Sequence, residues 1–201
     1  MIGLVAQIDT VSDYGKPWIT VGIDLQYLVE NRVLYLQPTS SSYDWRKNLK
    51  VKKEWFGEGE NRLRVHKGFL ESYMQGREVL LKILKSGDVD SVCGYSHGAA
   101  LAVLLYWDYY GHTRIKFPVF TIGCPRVVSL LTSKKKRDIF SEILNVQIET
   151  DIVTRVPPVV FLYRHIGVLC RLVSSSLLPT PKDHYASQYK KLLLDIRGSM
   201  S

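Results

Sequence analysis

Val92-Cys93-Gly94-Tyr95-Ser96-His97-Gly98-Ala99-Ala100 is a short apolar run entering a Gly-x-Ser-x-Gly turn. Ala100 to Trp107 follows at once, with the length and all-round apolarity of a buried helix. Glycine at 94 and 98 removes the Cβ atoms that would collide where a strand meets a helix. The spacing therefore predicts a sharp turn that presents the Ser96 hydroxyl at the carboxyl end of a sheet instead of packing it. The amino terminus of the following helix adds partial positive charge and unpaired amides where an oxyanion would form.

Working outward from this turn, strand and helix patterns alternate. Upstream, Gly68 to Lys85 has apolar residues Phe69, Tyr73, Val79, Leu80, Ile83 and Leu84 at three- and four-residue intervals, an amphipathic helix ending at Ser86-Gly87. Asp88 to Cys93 begins the central strand. Earlier still, Leu4 to Val11 and Trp18 to Leu25 read as two β runs joined by the turn residues Ser12 to Pro17, a hairpin or meander at a sheet edge. Arg32 to Gln37 reads as a strand closed by Pro38 and the hydroxyl-rich turn Thr39 to Ser42. Tyr43 to Arg64 has loop composition with one helical turn, suited to a flap.

Downstream, Lys116 to Gly123 reads as a core strand, Ser133 to Leu144 as a basic surface helix, and Asn145 to Glu149 as the next strand, with Asp151 just past its end. Val159 to Leu178 is apolar but interrupted by Arg164, His165 and Arg171. Charges near the middle of such a span are costly in hydrocarbon, so core strands and a loop are expected there and not a membrane crossing. His184 precedes a short helix, Ser187 to Leu194. The alternation predicts an α/β fold with a mostly parallel central sheet and helices on both faces.

The length of 201 residues allows a full hydrophobic core in a single domain, 1–201, without staples or metals. Three cysteines, Cys93, Cys124 and Cys170, form neither an even disulfide set nor a zinc pattern, so no metal or cofactor is expected. The first residues lack a basic region and a long apolar run, which gives a cytoplasmic location as the expectation. A formal charge of +8 raises anionic partners. The basic residues, however, fall in two local runs, Arg46 to Lys53 and Lys134 to Arg137, without a nucleic-acid motif or interleaved aromatics. They read as solvated faces with weak attraction to an anionic membrane surface, and nucleic acid is not expected as a partner.

A serine hydroxyl needs a base to take its proton as it attacks a carbonyl, and the base needs a carboxylate behind it. On strand-turn-helix scaffolds of this kind the three arrive in the order serine, acid, histidine, each beyond a strand's carboxyl end. Ser96, Asp151 and His184 have that order. His66 and His112 lie on the wrong side of Asp151; His165 is the rival base, inside a strand pattern that suggests a structural hydrogen bond. Asp183 is the substitute acid, though adjacency makes support of the His184 ring awkward. For the oxyanion, His97 offers a backbone amide by following the nucleophile, and Thr39 offers amide and hydroxyl from the end of an earlier strand.

These residues resemble the class 3, fungal-type lipase family of the α/β hydrolases over about Val33 to Tyr189. The likeness rests on Gly94-Tyr95-Ser96-His97-Gly98, Val65-His66-Lys67-Gly68-Phe69, Thr121-Ile122-Gly123-Cys124-Pro125-Arg126-Val127, Asp151-Ile152-Val153-Thr154-Arg155-Val156-Pro157-Pro158, Tyr163-Arg164-His165-Ile166-Gly167 and Asp183-His184-Tyr185. The resemblance implies Ser96, Asp151 and His184 as triad, structural roles for His66 and His165, and a cofactor-free lipase or esterase acting on lipid or other acyl esters. Two departures stand out. Leu36-Gln37-Pro38-Thr39 replaces the usual Phe-Arg-Gly-Thr/Ser, so proline removes an amide beside the oxyanion donor. The segment Asp44 to Lys50 is mixed in polarity where the family carries an apolar lid, which argues against strong interfacial activation. Competing readings are a thioesterase or acyltransferase on the same fold, and a catalytically silent module that binds acidic lipid or a protein partner.

Overall fold

The computed structural model describes residues 2–38, 52–176 and 178–198. In chain order the elements are α1 (Ile2–Ser12), β1 (Ile19–Val21), β2 (Leu25–Glu30), β3 (Val33–Pro38), β4 (Lys53–Phe56), β5 (Leu63–His66), α2 (Lys67–Ser86), β6 (Ser91–Tyr95), α3 (His97–Thr113), β7 (Val119–Ile122), β8 (Val128–Ser129), α4 (Lys134–Ile139), β9 (Ile143–Ile148), β10 (Tyr163–Arg164), β11 (Val168–Leu172) and α5 (Ala186–Gly198). Seven strands form the central sheet in the order β1-β2-β3-β6-β7-β9-β11. From β3 to β11 every pairing is parallel, while β1, β2 and β3 form an antiparallel edge.

Alternation along the central strands divides the interior into two cores. Leu34, Leu36, Val92 and Val119 face one side, where α2 and α3 cover them; Tyr35, Cys93, Tyr95 and Ile122 face the other, against α1 and α5. Every residue of α3 from His97 to Asp108 is buried, as its all-round apolarity predicts. The amphipathic helix α2 buries Phe69, Leu70, Tyr73, Leu80, Leu81 and Leu84 and stops at Gly87, which is left-handed at φ 79°. Val79, expected on its apolar face, is solvent-exposed.

The amino-terminal reading needs correction: Leu4 to Val11 lies within helix α1, and the edge hairpin is made by β1 and β2. β-branched composition favoured a strand, but the buried or part-buried positions Leu4, Ile8 and Val11 carry a helical interval, and packing on β3, β6 and α5 decides the conformation. A second correction concerns the expected flap. From residue 53 onward it is a β-hairpin, β4 and β5, joined by a 3-10 turn at Gly59–Asn61. This hairpin belongs to a separate four-stranded antiparallel sheet, β10-β8-β5-β4. β5 joins the rest of that sheet by pairing Val65 with Val128 of β8, which in turn pairs with β10, and both of those strands come from far along the chain. The part of the flap before residue 52, with most of the Arg46 to Lys53 basic run and the Asp44 to Lys50 segment, lies outside the described residues. The other basic run sits on α4, which buries none of its residues.

Candidate active site

Ser96 joins β6 to α3 at φ 55° and ψ −122°, a backbone conformation that non-glycine residues rarely adopt. The turn is fixed by its neighbours. Ser96 N–H donates to the Ile122 carbonyl at 2.9 Å, and the Ser96 carbonyl accepts from the amides of Ala99 and Ala100. A Cβ on Gly98 would lie 2.2 Å from the Leu36 carbonyl oxygen, and one on Gly94 would lie 2.7 Å from the Ala99 Cα. The tight seating of α3 between β3 and β6 therefore requires both glycines.

The Ser96 hydroxyl lies 2.7 Å from His184 Nε2, and His184 Nδ1 lies 2.8 Å from Asp151 Oδ2. Asp151 is fully buried, yet its charge is well supplied with donors: the Val153 amide reaches Oδ1 at 2.7 Å and the Tyr189 hydroxyl reaches Oδ2 at 2.6 Å. Burial and the adjacent Asp151 charge hold the Tyr189 phenol well above its ordinary range, so it remains a donor. The imidazole is oriented from below by Tyr95, whose ring stacks on it at 5.3 Å and 15° and whose hydroxyl donates to the His184 carbonyl at 2.6 Å.

Local structure explains how a residue so late in the chain arrives beside Asp151. Thr180 forms a parallel bridge with Asp151, and its hydroxyl accepts from the Lys182 amide to cap the 3-10 turn Pro181–His184. The adjacent Asp183 is buried and accepts from the Thr150 hydroxyl. It ties the turn to the end of β9 and makes no contact with the His184 ring among its hydrogen bonds. The rival His165 donates through Nε2 to the Thr154 carbonyl at 2.8 Å and accepts at Nδ1 from the Gln147 amide at 2.9 Å. Burial lowers its pKa to about 4, so it is a neutral brace. His66 caps α2 by accepting from the Phe69 amide at 3.4 Å, and burial lowers it to about 4 as well. His112 stands beside Asp108 and Arg77, away from the serine.

His97 begins α3, where the helix offers no internal acceptor for its amide. Its buried imidazole pairs through Nε2 with the Ser72 hydroxyl at 2.9 Å, linking α3 to α2; burial, then the neighbouring His66, lowers its pKa to about 4. Thr39, the other expected oxyanion donor, lies outside the described residues. Among the described residues no group of three or more His, Cys, Asp or Glu side chains has the geometry to hold a metal ion, and Cys93, Cys124 and Cys170 are all free thiols.

Three structural contributions had no separate signal in the sequence. Gly123 reads there as a strand end within a stretch that carries the family resemblance, but it sits at φ 61° and a Cβ would lie 2.9 Å from His184 Cε1 and 3.3 Å from Asp151 Oδ2. Tyr189 falls within the expected helix Ser187 to Leu194 with no role of its own. Arg126, in the Cys-Pro-Arg stretch, donates to the carbonyls of Arg155 and Pro157 and so braces the loop that follows Asp151.

The model of the lipase (class 3) family matches residues 33–161. The chain belongs to the class 3 lipase family. The match ends before His184, so this residue is placed at the site by geometry and not by the family model. Solved lipase structures share the fold. Lipase II from Rhizopus niveus superposes with a TM-score of 0.64 at 22% identity, over 81% of this chain and 66% of that one, just under two thirds of its length. The Rhizomucor miehei lipase in its propeptide complex gives 0.66 at 20%, over 90% and 72%. A triacylglycerol lipase whose catalytic centre is described as a serine protease triad gives 0.63 at 20%, over 87% and 80%. A search of curated proteins finds no match.

Proposed function

We propose that the chain is a serine carboxylic ester hydrolase acting on lipid or other acyl esters. The observation that carries this reading is the unbroken line of hydrogen bonds from the Ser96 hydroxyl through both nitrogens of His184 to the buried Asp151. As Ser96 Oγ attacks the ester carbonyl, His184 Nε2 takes its proton, and the positive imidazolium is stabilised by Asp151 at Nδ1. The same proton then passes to the leaving alkoxide, giving an acyl-enzyme, and a water activated by His184 releases the carboxylic acid. The His97 amide and the Thr39 amide and hydroxyl are assigned to the oxyanion of the tetrahedral intermediate, where one donor is worth about 10² to 10³ in rate.

Membership of the class 3 lipases supports the reaction class, and the triacylglycerol lipase of the same fold supports the lipid ester. A fluorophosphonate probe is expected to label the wild-type chain and not Ser96→Ala. His184→Ala is expected to lower turnover of a nitrophenyl ester by several orders of magnitude. Equal labelling of wild type and Ser96→Ala would remove the serine from the mechanism.

A further inference from the structure

At the outer edge of the central sheet a cleft of about 780 Å³, lined by neither Ser96, Asp151 nor His184, opens between the end of β9, the edge strand β11 and the segment 152–159. Three arginines, Arg126, Arg155 and Arg171, line it against one acid, Glu149. None of the three forms an ion pair among the described residues. The guanidinium groups of Arg126 and Arg155 are held instead by backbone carbonyls, the latter by that of Glu149 at 2.8 Å. Burial and the nearby Arg155 lower the Arg126 pKa, and the charges of Arg126 and Arg171 both help to lower that of His165. Three cations facing one acid are thus gathered at one place on a chain already carrying a formal charge of +8.

The rim of this cleft runs directly into a ridge of four consecutive exposed apolar residues: Val159 at 53%, Val160 at 79%, Phe161 at 44% and Leu162 at 44%. Exposed side chains of this kind are ordinary when scattered, but a contiguous run marks an interaction surface. The ridge is firmly built. The Phe161 amide donates to the Pro158 carbonyl, and the Leu162 amide to the Val159 carbonyl at 2.7 Å. The Leu162 carbonyl accepts from the Leu130 amide, and the Phe161 carbonyl from Lys53 Nζ at 2.6 Å. These bonds satisfy the amides of Phe161 and Leu162 and the carbonyls of Val159, Phe161 and Leu162 internally, which lowers the cost of bringing the ridge into a nonpolar medium.

We propose that this face docks the protein on an acidic lipid surface, with Val159 to Leu162 entering the interfacial region and Arg126, Arg155 and Arg171 receiving an anionic phosphate head group. An apolar ridge beside a basic cleft matches the layering of such a surface, in which acyl chains lie beneath a negatively charged head-group plane. A protein partner would need an acidic, apolar face of its own. The lipid surface supplies both properties without further design.

The test is vesicle flotation of the full chain, which requires no ester turnover and so stands apart from the proposed hydrolysis. Vesicles of pure phosphatidylcholine are compared with vesicles in which about one third of the lipid is phosphatidylserine. Two substitutions, Val160→Asp and Arg171→Glu, alter exposed side chains outside the catalytic assembly; thermal unfolding and fluorophosphonate labelling report that each variant is intact. Binding to the acidic vesicles that weakens with salt, and falls about tenfold or more in each variant, is the expected result. Absence of binding, equal binding to both vesicle types, or variants that bind like wild type would overturn the proposal. So would a cleft that takes up inorganic phosphate while vesicle binding stays absent, since that outcome makes it a site for the free ion.

Discussion

At the scale of single residues, Gly123 shows how closely the site is fitted. Its left-handed φ of 61° and the 2.9 Å separation between a hypothetical Cβ and His184 Cε1 oppose any side chain there. Gly123→Ala is expected to displace the imidazole and lower ester turnover by about 10²-fold or more, the usual consequence of misplacing a reacting group by about 1 Å. The stability cost is about 1–3 kcal/mol for a non-glycine residue held in that conformation. Turnover and a denaturant midpoint measured on the same preparation check both parts. Ser96, Asp151 and His184 were legible as candidates because nucleophile, acid and base occur in a recognisable order with distinctive neighbours. Gly123, Tyr95 and Tyr189 were not legible as positioning groups: a glycine that ends a strand, a tyrosine inside a turn and a tyrosine in a helix all have ordinary local explanations. Their roles consist of contacts across many residues of sequence.

At the scale of elements, the 3-10 turn Pro181–His184 has to be held against the end of β9, and the buried contact from the Thr150 hydroxyl to Asp183 does this. Asp183→Asn keeps an acceptor for that hydroxyl and is expected to retain turnover within about tenfold, whereas Asp183→Ala loosens the turn and costs about 1–3 kcal/mol of stability. Asp151→Asn, by contrast, is expected to lower turnover by orders of magnitude while the protein remains folded, because the wrong imidazole tautomer is then favoured. Comparing the kcat values and melting curves of the three variants separates the acid that serves His184 from the acid that anchors its turn. Sequence periodicity located α2, α3 and the strands β3, β6, β7 and β9, since each has one face or all faces buried in a regular repeat. It misread α1, where β-branched residues and a helical interval gave opposing signals. It also missed β4 and β5, because the charges and the Gly57-Glu58-Gly59 turn give the hairpin loop composition, and the strand β8 that β5 joins at Val65 is separated from it by the whole of α2, β6, α3 and β7.

At the scale of the whole molecule, three buried histidines, His66, His97 and His165, all have their pKa lowered from 6.5 to about 4 by burial. In the unfolded chain each regains a proton near pH 6.5, so below that pH the unfolded state binds more protons than the folded one. The stability is therefore fully present above about pH 6.5 and is lost as pH falls toward 4. A denaturant series is expected to show a loss of about 1.4 kcal/mol per pH unit for each histidine in that interval. A midpoint that stays constant from pH 7 to pH 5 would contradict it. The sequence by itself determined the strand-turn-helix at Ser96, the alternation that makes a parallel sheet, and the order of the three catalytic candidates, since each is written in neighbouring residue types or in a repeating interval. Only the tertiary structure decided that His184 and not His165 meets Ser96, that Asp183 holds a turn, and that Arg126, Arg155 and Arg171 line one cleft with Val159 at the start of the apolar ridge. Those are facts of distance between residues far apart along the chain, fixed by the joint packing of two cores against one twisted sheet.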